Sequence, residues 1–392
     1  MPCWGWGSAG RAPGGASPHS SKEEELAKDI LDAVYGCLIG GAIGDAMGAP
    51  TEGMLYTEIR EKYGKVNSLL PHTVSYTNGK PGNFTDDTTL RHYLCYAIAQ
   101  KGGRITPDDF AKVWIEKVNT ARLWASELIV RERIRWGINP WEAGLGAIPA
   151  GCGPMYIAPV GIINAADPAQ AFQDGFNIAS VNQLGENRDF AAAFAASVAA
   201  AFSPGATVER VIATMSEYGP DIVRRAMELT LDLAMSCGDM EEFTHRFYET
   251  MLDWTWSLPP GKWNKNKFFS GNSREFVPVV FAILHFHGSE PNRAIIEGAN
   301  FGRDCDTIAS LVGNIVGAIH GADSLKSEWI DTVETANTDF YAELEGDPAA
   351  DIRSMAVRMV HALEQTKTAY EKRVHALAEV LGSHLDGQKE KR

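Results

Sequence analysis

The sequence is poor in the features that mark several large functional classes. Basic residues are outnumbered, 36 Lys and Arg against 50 Asp and Glu, for a formal net charge of −14. Phosphate backbones are gripped by clustered cations, so this balance argues against a nucleic-acid binder and against docking on anionic membranes. The surplus acid fits either a solvated acidic surface or a protein that gathers divalent cations. Cysteine is scarce: Cys3, Cys37, Cys95, Cys152, Cys237 and Cys305 form no CxxC pair and sit mostly among apolar or small residues. They read as reduced, packed thiols in a cytoplasmic protein, not as a disulfide framework. No apolar run is expected to reach the roughly 18 residues of a membrane span. The N-terminus lacks the charged-then-apolar layout of a secretion signal. Also missing are a GxxxxGKS or GxxxxGKT phosphate loop, a GxGxxG after a strand, HExxH and GxSxG, which excludes the chemistries those motifs carry.

What is present is helical periodicity over most of the 392 residues. Residues 1–22 are rich in Gly, Ser, Ala and Pro without periodicity and read as a disordered tail. Residues 23–382 read as one domain and 383–392 as a polar tail, with a fray expected after Gly382. Leu90, Tyr93, Leu94, Ala97 and Ile98 recur on one helix face. Residues 190–202, nearly all Ala, Phe and Val, suit a helix buried on most sides. Residues 227–234, 352–363 and 370–381 repeat the amphipathic pattern. Alternating β-branched segments are few, the best being short pieces at 66–74 and 155–163. The fold class is all-α, with no solenoid period.

Glycine is placed with a period. Gly36, Gly40, Gly44 and Gly48 fall four apart, as do Gly313, Gly317 and Gly321. A helical glycine costs about 1 kcal/mol relative to alanine, so such a row predicts close approach of another backbone. Packed antiparallel, the two rows would set the end of the first helix against the start of the second. Glu52 would then stand beside Asp304 and Asp306.

Two acidic blocks precede helical runs: Thr85-Asp86-Asp87-Thr88, before a run from about Thr89, and Asp304-Cys305-Asp306-Thr307, before a run from about Ile308. Helix capping explains one Asp or Thr at such a place. It does not explain two carboxylates at each, because adjacent carboxylates repel unless a cation lies between them. Hard oxygen donors of this kind suit Mg²⁺, Mn²⁺ or Ca²⁺ rather than Zn²⁺. The aromatic stretch 254–263 reads equally as a lid that stacks on a base or sugar and as a packed loop or oligomer contact. His285 and His287 read as ordinary helix content.

Taken in order, the run Gly44 to Glu52, the Thr85–Thr88 block, the stretch Gly151-Cys152-Gly153-Pro154-Met155-Tyr156 and the block Gly302 to Thr307 resemble the signatures of the ADP-ribosylglycohydrolase family. The resemblance implies a compact multi-helix bundle around a central site for two Mg²⁺ ions, with Mn²⁺ as the other candidate. It implies metal ligands at Thr85, Asp86, Asp87, Asp304, Asp306 and Thr307, and Glu52 as ligand, gate or acid–base group. Glu52 and Asp306 are the catalytic candidates. Substrate contacts are implied at Gly151, Gly153, Met155, Tyr156, Asn182 and Arg303. The activity implied is hydrolysis of an N- or O-glycosidic bond at the ribose anomeric carbon of an ADP-ribosylated protein or ADP-ribose derivative. The alternatives are hydrolysis of small N-ribosides and a non-catalytic, crystallin-like role. The sequence departs from the family where Cys152 and Tyr156 replace residues that are often Asn and Arg, where Ser180-Val181-Asn182 stands for a Thr-His pair, and where Arg303 replaces a second Gly. These departures bear on the leaving group. Oligomeric state is not legible in the sequence.

Overall fold

In the computed structural model the residues described are 30–72, 79–148, 150–268 and 271–389, with side chains through 382. The tail expected at 1–22 lies outside them. The described residues contain eighteen α-helices and no strand. One isolated antiparallel bridge joins Leu55 to Gly302. Seven of the helices build or brace the centre of the molecule: α1 (Ile30–Gly48), α2 (Asp86–Lys101), α3 (Ala125–Arg135), α4 (Glu186–Ala201), α5 (Ser273–His287), α6 (Cys305–His320) and α7 (Ile352–Lys389).

The core of this arrangement is the α1–α6 pair. A Cβ on Gly317 would lie 1.9 Å from the Gly36 carbonyl oxygen, and one on Gly313 would lie 2.0 Å from that of Gly40. Further along, Gly44 faces Ala309 and Gly48 faces Asp306, so the helices run antiparallel in the register that the glycine spacing predicts. Gly321 leaves the row: it ends α6 with a φ of +82° and faces Asp32 instead. Around this pair, α1 is buried on every side from Ala33 to Gly48.

The length of this helix corrects the expectation that no apolar run reaches that of a membrane span. Residues Ile30–Thr51 are long and apolar enough to cross a bilayer, with a mean hydropathy of 1.4, yet 83% of the window is buried inside the fold. A helix surrounded by protein needs the same apolar surface as one surrounded by lipid.

Two other expectations change. Residues 155–163 form a 3₁₀ turn (Pro154–Tyr156) and a short helix (Ala158–Ile163), not a strand. Pro154 and Pro159 sit at helix starts, where their missing N–H is harmless, and burial on all sides erases any helical period. The segment 66–72 is irregular, and the rest of the piece expected at 66–74 lies outside the described residues. Finally, the runs at 352–363 and 370–381 are one helix, α7, which continues through Lys389. Residues 364–369 contain neither Gly nor Pro, so nothing breaks it. Cys95, Cys152, Cys237 and Cys305 are free thiols.

Candidate metal centre and active site

Both acidic blocks lie at helix starts. Thr85 caps α2, its hydroxyl accepting from the Asp87 N–H at 3.3 Å. Asp86 and Asp87 thus occupy the first turn, three residues earlier than the apolar period suggests. Asp304 is the N-cap residue of α6 and Asp306 lies in its first turn. Helix N-termini favour carboxylates, which eases but does not cancel the repulsion among them.

The α1–α6 register and the short bridge bring Glu52 to the second block. Gly53 donates to the Arg303 carbonyl and Arg303 donates to that of Met54, each at 2.7 Å. Glu52 is thereby held over the start of α6. Oxygens of Glu52, Asp304 and Asp306 lie within 4.8 Å of one another. Asp304 and Asp306 are buried, whereas Glu52 stands at the exposed rim with its carboxyl turned to the cluster. Asp87 is wholly enclosed and feels the charges of Asp45, Asp86 and Asp304.

Electrostatics reports the same crowding. Burial, then Glu275 and Asp86, pushes Asp304 up to about 7 against the pull of Arg303 and a hydrogen bond from Thr307. Enclosure of the carboxyl, then Asp304, Asp86 and Asp45, pushes Glu52 up to about 8. Burial and neighbouring acids drive Asp87 and Asp306 well above the usual carboxylate range. One oxygen of Asp87 and one of Asp306 are buried without a hydrogen-bond partner. Buried oxygens are otherwise satisfied almost without exception. Unpartnered hard oxygens within a cluster of buried acids fit a divalent cation.

These shifts have a signed consequence for the metal-free protein. A carboxyl whose folded pKa is raised holds its proton more tightly in the native state, so the stability it supports is complete below the unfolded value near 4 and is lost as pH rises through the folded value. In EDTA, the melting temperature should therefore fall from pH 5 to pH 8, and Mg²⁺ should restore it most at pH 8. Calorimetry across that range checks this; a flat profile in EDTA would contradict the crowding.

Beneath the cluster, Asp45 on α1 is fully buried and accepts the N–H groups of Thr85 and Thr88, each at 3.0 Å. It fixes the start of α2. Arg91, also fully buried, donates to the Met155 carbonyl at 2.7 Å and to the Ser310 hydroxyl at 2.6 Å, tying α2, the 151–156 loop and α6. Replacing Asp45 with Ala should cost about 2 kcal/mol, the worth of hydrogen bonds to a charged group, and weaken divalent binding by loosening Asp86 and Asp87. Urea denaturation and calorimetric Mg²⁺ titration read the two effects; unchanged Mg²⁺ affinity would remove the positioning role.

The substrate residues expected from the sequence divide. Gly151 borders the cluster, where an added Cβ would lie 3.3 Å from Asp304 Oδ2. Asn182 and Tyr156 are fully buried beside it and keep unpartnered polar atoms. Gly153 instead packs on α4, where a Cβ would lie 3.1 Å from the Asn187 carbonyl, and Met155 offers Arg91 its carbonyl. Arg303 has a protein partner: its side chain is 3% exposed and forms a bidentate pair with Glu275 at 2.6 and 3.0 Å. It also lies over the Trp263 ring, while Trp256 donates to the same Glu275 at 3.0 Å. The Arg303 guanidinium thus ties Glu275 to the aromatic 254–263 segment, whose stretch Pro259–Lys262 is exposed.

The sequence profile of the ADP-ribosylglycohydrolase family matches residues 26–369. The chain belongs to the ADP-ribosylglycohydrolase family. It is a hydrolase acting on glycosyl bonds. It is 26% identical over 342 residues to an uncharacterized Escherichia coli protein, YegU, covering 79% of this chain and 95% of that one. Identity to the ADP-ribosyl-[dinitrogen reductase] glycohydrolase of Rhodospirillum rubrum is 24% over 318 residues, covering 78% and 91%. A solved structure titled an ADP-ribosylglycohydrolase-related protein complex shares the fold, with a TM-score of 0.59 at 17% identity over 86% of this chain and 99% of that one.

Sequence reasoning assigned no role to Asp45, Arg91, Glu275 or Glu127. Asp45 has a visible signal, since it is the one acid in the apolar row from Ala33 to Gly48. Glu127 has none: it stands in a charged amphipathic stretch that looks like any surface helix.

Proposed function

We propose that the protein is a Mg²⁺-dependent hydrolase that cleaves an N- or O-glycosidic bond at the ribose anomeric carbon of an ADP-ribosylated protein or ADP-ribose derivative. The observation that carries this is the convergence of Glu52, Asp304 and Asp306 on one point, with buried, unpartnered oxygens on Asp87 and Asp306. Thr85, Asp86, Asp87, Asp304, Asp306 and Thr307 are the donors for two ions, with Mn²⁺ as the other candidate. Bound there, divalent ions supply Lewis acidity that orients ribose hydroxyls and lowers the pKa of a water. The chain's own acids do the rest. Of the three converging carboxyls only Glu52 reaches the solvent-exposed rim, where it takes the proton from an attacking water as the anomeric carbon gains oxocarbenium character. Asp306, deeper and unpartnered on one oxygen, adds negative charge facing that centre.

A second reading, hydrolysis of small N-ribosides, draws on Cys152 and Tyr156. Neither provides a cation to hold a diphosphate, and the charge felt by Tyr156 comes from Cys152 and Glu127. A non-catalytic role is disfavoured because buried acids that repel one another serve no packing purpose. Glu52→Gln separates catalysis from assembly. Turnover should drop at least about 100-fold while Mg²⁺ still raises the melting temperature; undiminished turnover would remove Glu52 as the base.

A further inference from the structure

One group near the centre has no part in that hydrolysis. Glu127, in the first turn of α3, is fully buried, and its carboxylate has no neighbour in good hydrogen-bond geometry: the Cys152 thiol and the Asn182 amide are only weak partners. The Cys152 thiol and the Asn182 amide stand close enough to pull its pKa back down, against burial and the Asp86 charge that raise it to about 7. Around it, the Tyr156 hydroxyl and Asn182 Oδ1 are likewise buried and unpartnered. Asn182 reaches the loop only through a long contact, Nδ2 to the Cys152 carbonyl at 3.4 Å. The group is continuous with the acidic centre, since the Cys152 thiol feels the charges of Glu127, Asp86 and Asp87 alike.

A structural role accounts poorly for this. Buried carboxylates are ordinarily paired with a cation or fully hydrogen-bonded, as Glu275 is with Arg303. The helix dipole at the start of α3 offsets only a small part of the cost. Three buried side chains with unused acceptors and donors, gathered beside the acidic centre, are what a ligand's polar edge would satisfy.

We propose that Glu127, with Asn182 and Tyr156, forms a subsite that receives N–H donors on the substrate group bonded to the ribose, and that it bars an anionic group from that position. This rests on the reading of the acidic centre as a ribosyl-hydrolase site. Glu127 accepts from N–H groups, Asn182 Oδ1 accepts from another, and the Tyr156 hydroxyl donates to an acceptor on the same edge. A guanidinium and the amide-like edge of a nucleobase share this chemistry. Both are aglycones of N-ribosides. An O-linked acyl group lacks the donors, and a phosphate brings negative charge against Glu127. The substrate is then an N-linked riboside, Glu127 its specificity-determining residue, and the O-linked branch of the proposed activity is the weaker one.

The test compares wild type with Glu127→Gln on ADP-ribosyl-arginine, cytidine and O-acetyl-ADP-ribose, each with Mg²⁺, together with calorimetric binding of arginine and cytidine and melting temperatures at pH 8. The wild type should favour an N-linked substrate, and the product, free arginine or free cytosine, tells which source supplies the N–H edge. In Glu127→Gln, kcat/KM on that substrate should fall about 100-fold, the small activity on O-acetyl-ADP-ribose should not fall, Mg²⁺ affinity should hold and the melting temperature should rise. An equal loss on every substrate together with a lower melting temperature would make Glu127 structural, and a wild type that prefers the O-linked substrate would also overturn the inference. If the wild type hydrolyses nothing, the proposed function fails by itself. Binding of arginine or cytidine by the wild type and not by Glu127→Gln would then still support the subsite, and equal binding by both would remove it.

Discussion

Asp304→Asn should abolish divalent binding and lower turnover by more than about 100-fold, since even groups one layer outside a metal's ligands are worth 10–100-fold. Asp304 is buried, begins α6, and shares its oxygens' space with Glu52 and Asp306. An amide there keeps the shape but removes the charge that attracts a cation. The variant should fold. At pH 8 a carboxyl with a folded pKa of about 7 is ionised in a crowded, enclosed place, so neutralising it should raise the melting temperature in EDTA while Mg²⁺ no longer adds to it. Loss of activity with a lowered EDTA melting temperature and retained Mg²⁺ response would mean that Asp304 holds the fold and not a metal. Asp306→Asn should behave the same way, with its unpartnered oxygen removed.

Gly44→Ala is expected to be nearly as damaging, although it touches no charged group. The added Cβ would lie 2.0 Å from the Ala309 carbonyl oxygen and 2.3 Å from its carbon, both backbone atoms of α6 that cannot rotate away. Overpacking typically costs 1–3 kcal/mol, and a clash between two rigid helices belongs at about 3 kcal/mol or above. The same push separates Glu52, carried just past the end of α1, from Asp304 at the start of α6. Mg²⁺ affinity should therefore fall along with stability. Gly382→Ala, in the exposed part of α7 with nothing within 4 Å, is the control and should be neutral or slightly stabilising. Chemical denaturation of both variants checks the contrast; equal midpoints would mean that α1 and α6 do not pack as closely as described.

These two predictions rest on features of very different legibility. The glycine rows were readable because backbone approach demands glycine at a fixed period, and the period gave the antiparallel register and the neighbourhood of Glu52 and Asp304. Paired acids at helix starts were readable because repulsion makes them rare without a cation. The structure adds what spacing cannot carry. Arg303 looked like a cation for substrate, and nothing in its spacing announces the pair with Glu275, 28 residues away. Residues 155–163 looked extended because full burial removes the polar face that marks a helix. The same loss of contrast makes Ile30–Thr51 resemble a membrane span. Glu127 was invisible because its neighbours in sequence are charged and its neighbours in space, Cys152, Tyr156 and Asn182, come from other segments.

The most direct measurement is mass-spectrometric product analysis of the purified protein on ADP-ribosyl-arginine, ADP-ribosyl-serine peptides, O-acetyl-ADP-ribose and common nucleosides, each with Mg²⁺ and with EDTA. Free ADP-ribose, or free ribose and base from a nucleoside, released with Mg²⁺ and suppressed by EDTA is the expected result. Equal product in both conditions, or none from any substrate, would contradict a metal-dependent ribosyl hydrolase built on Glu52, Asp304 and Asp306.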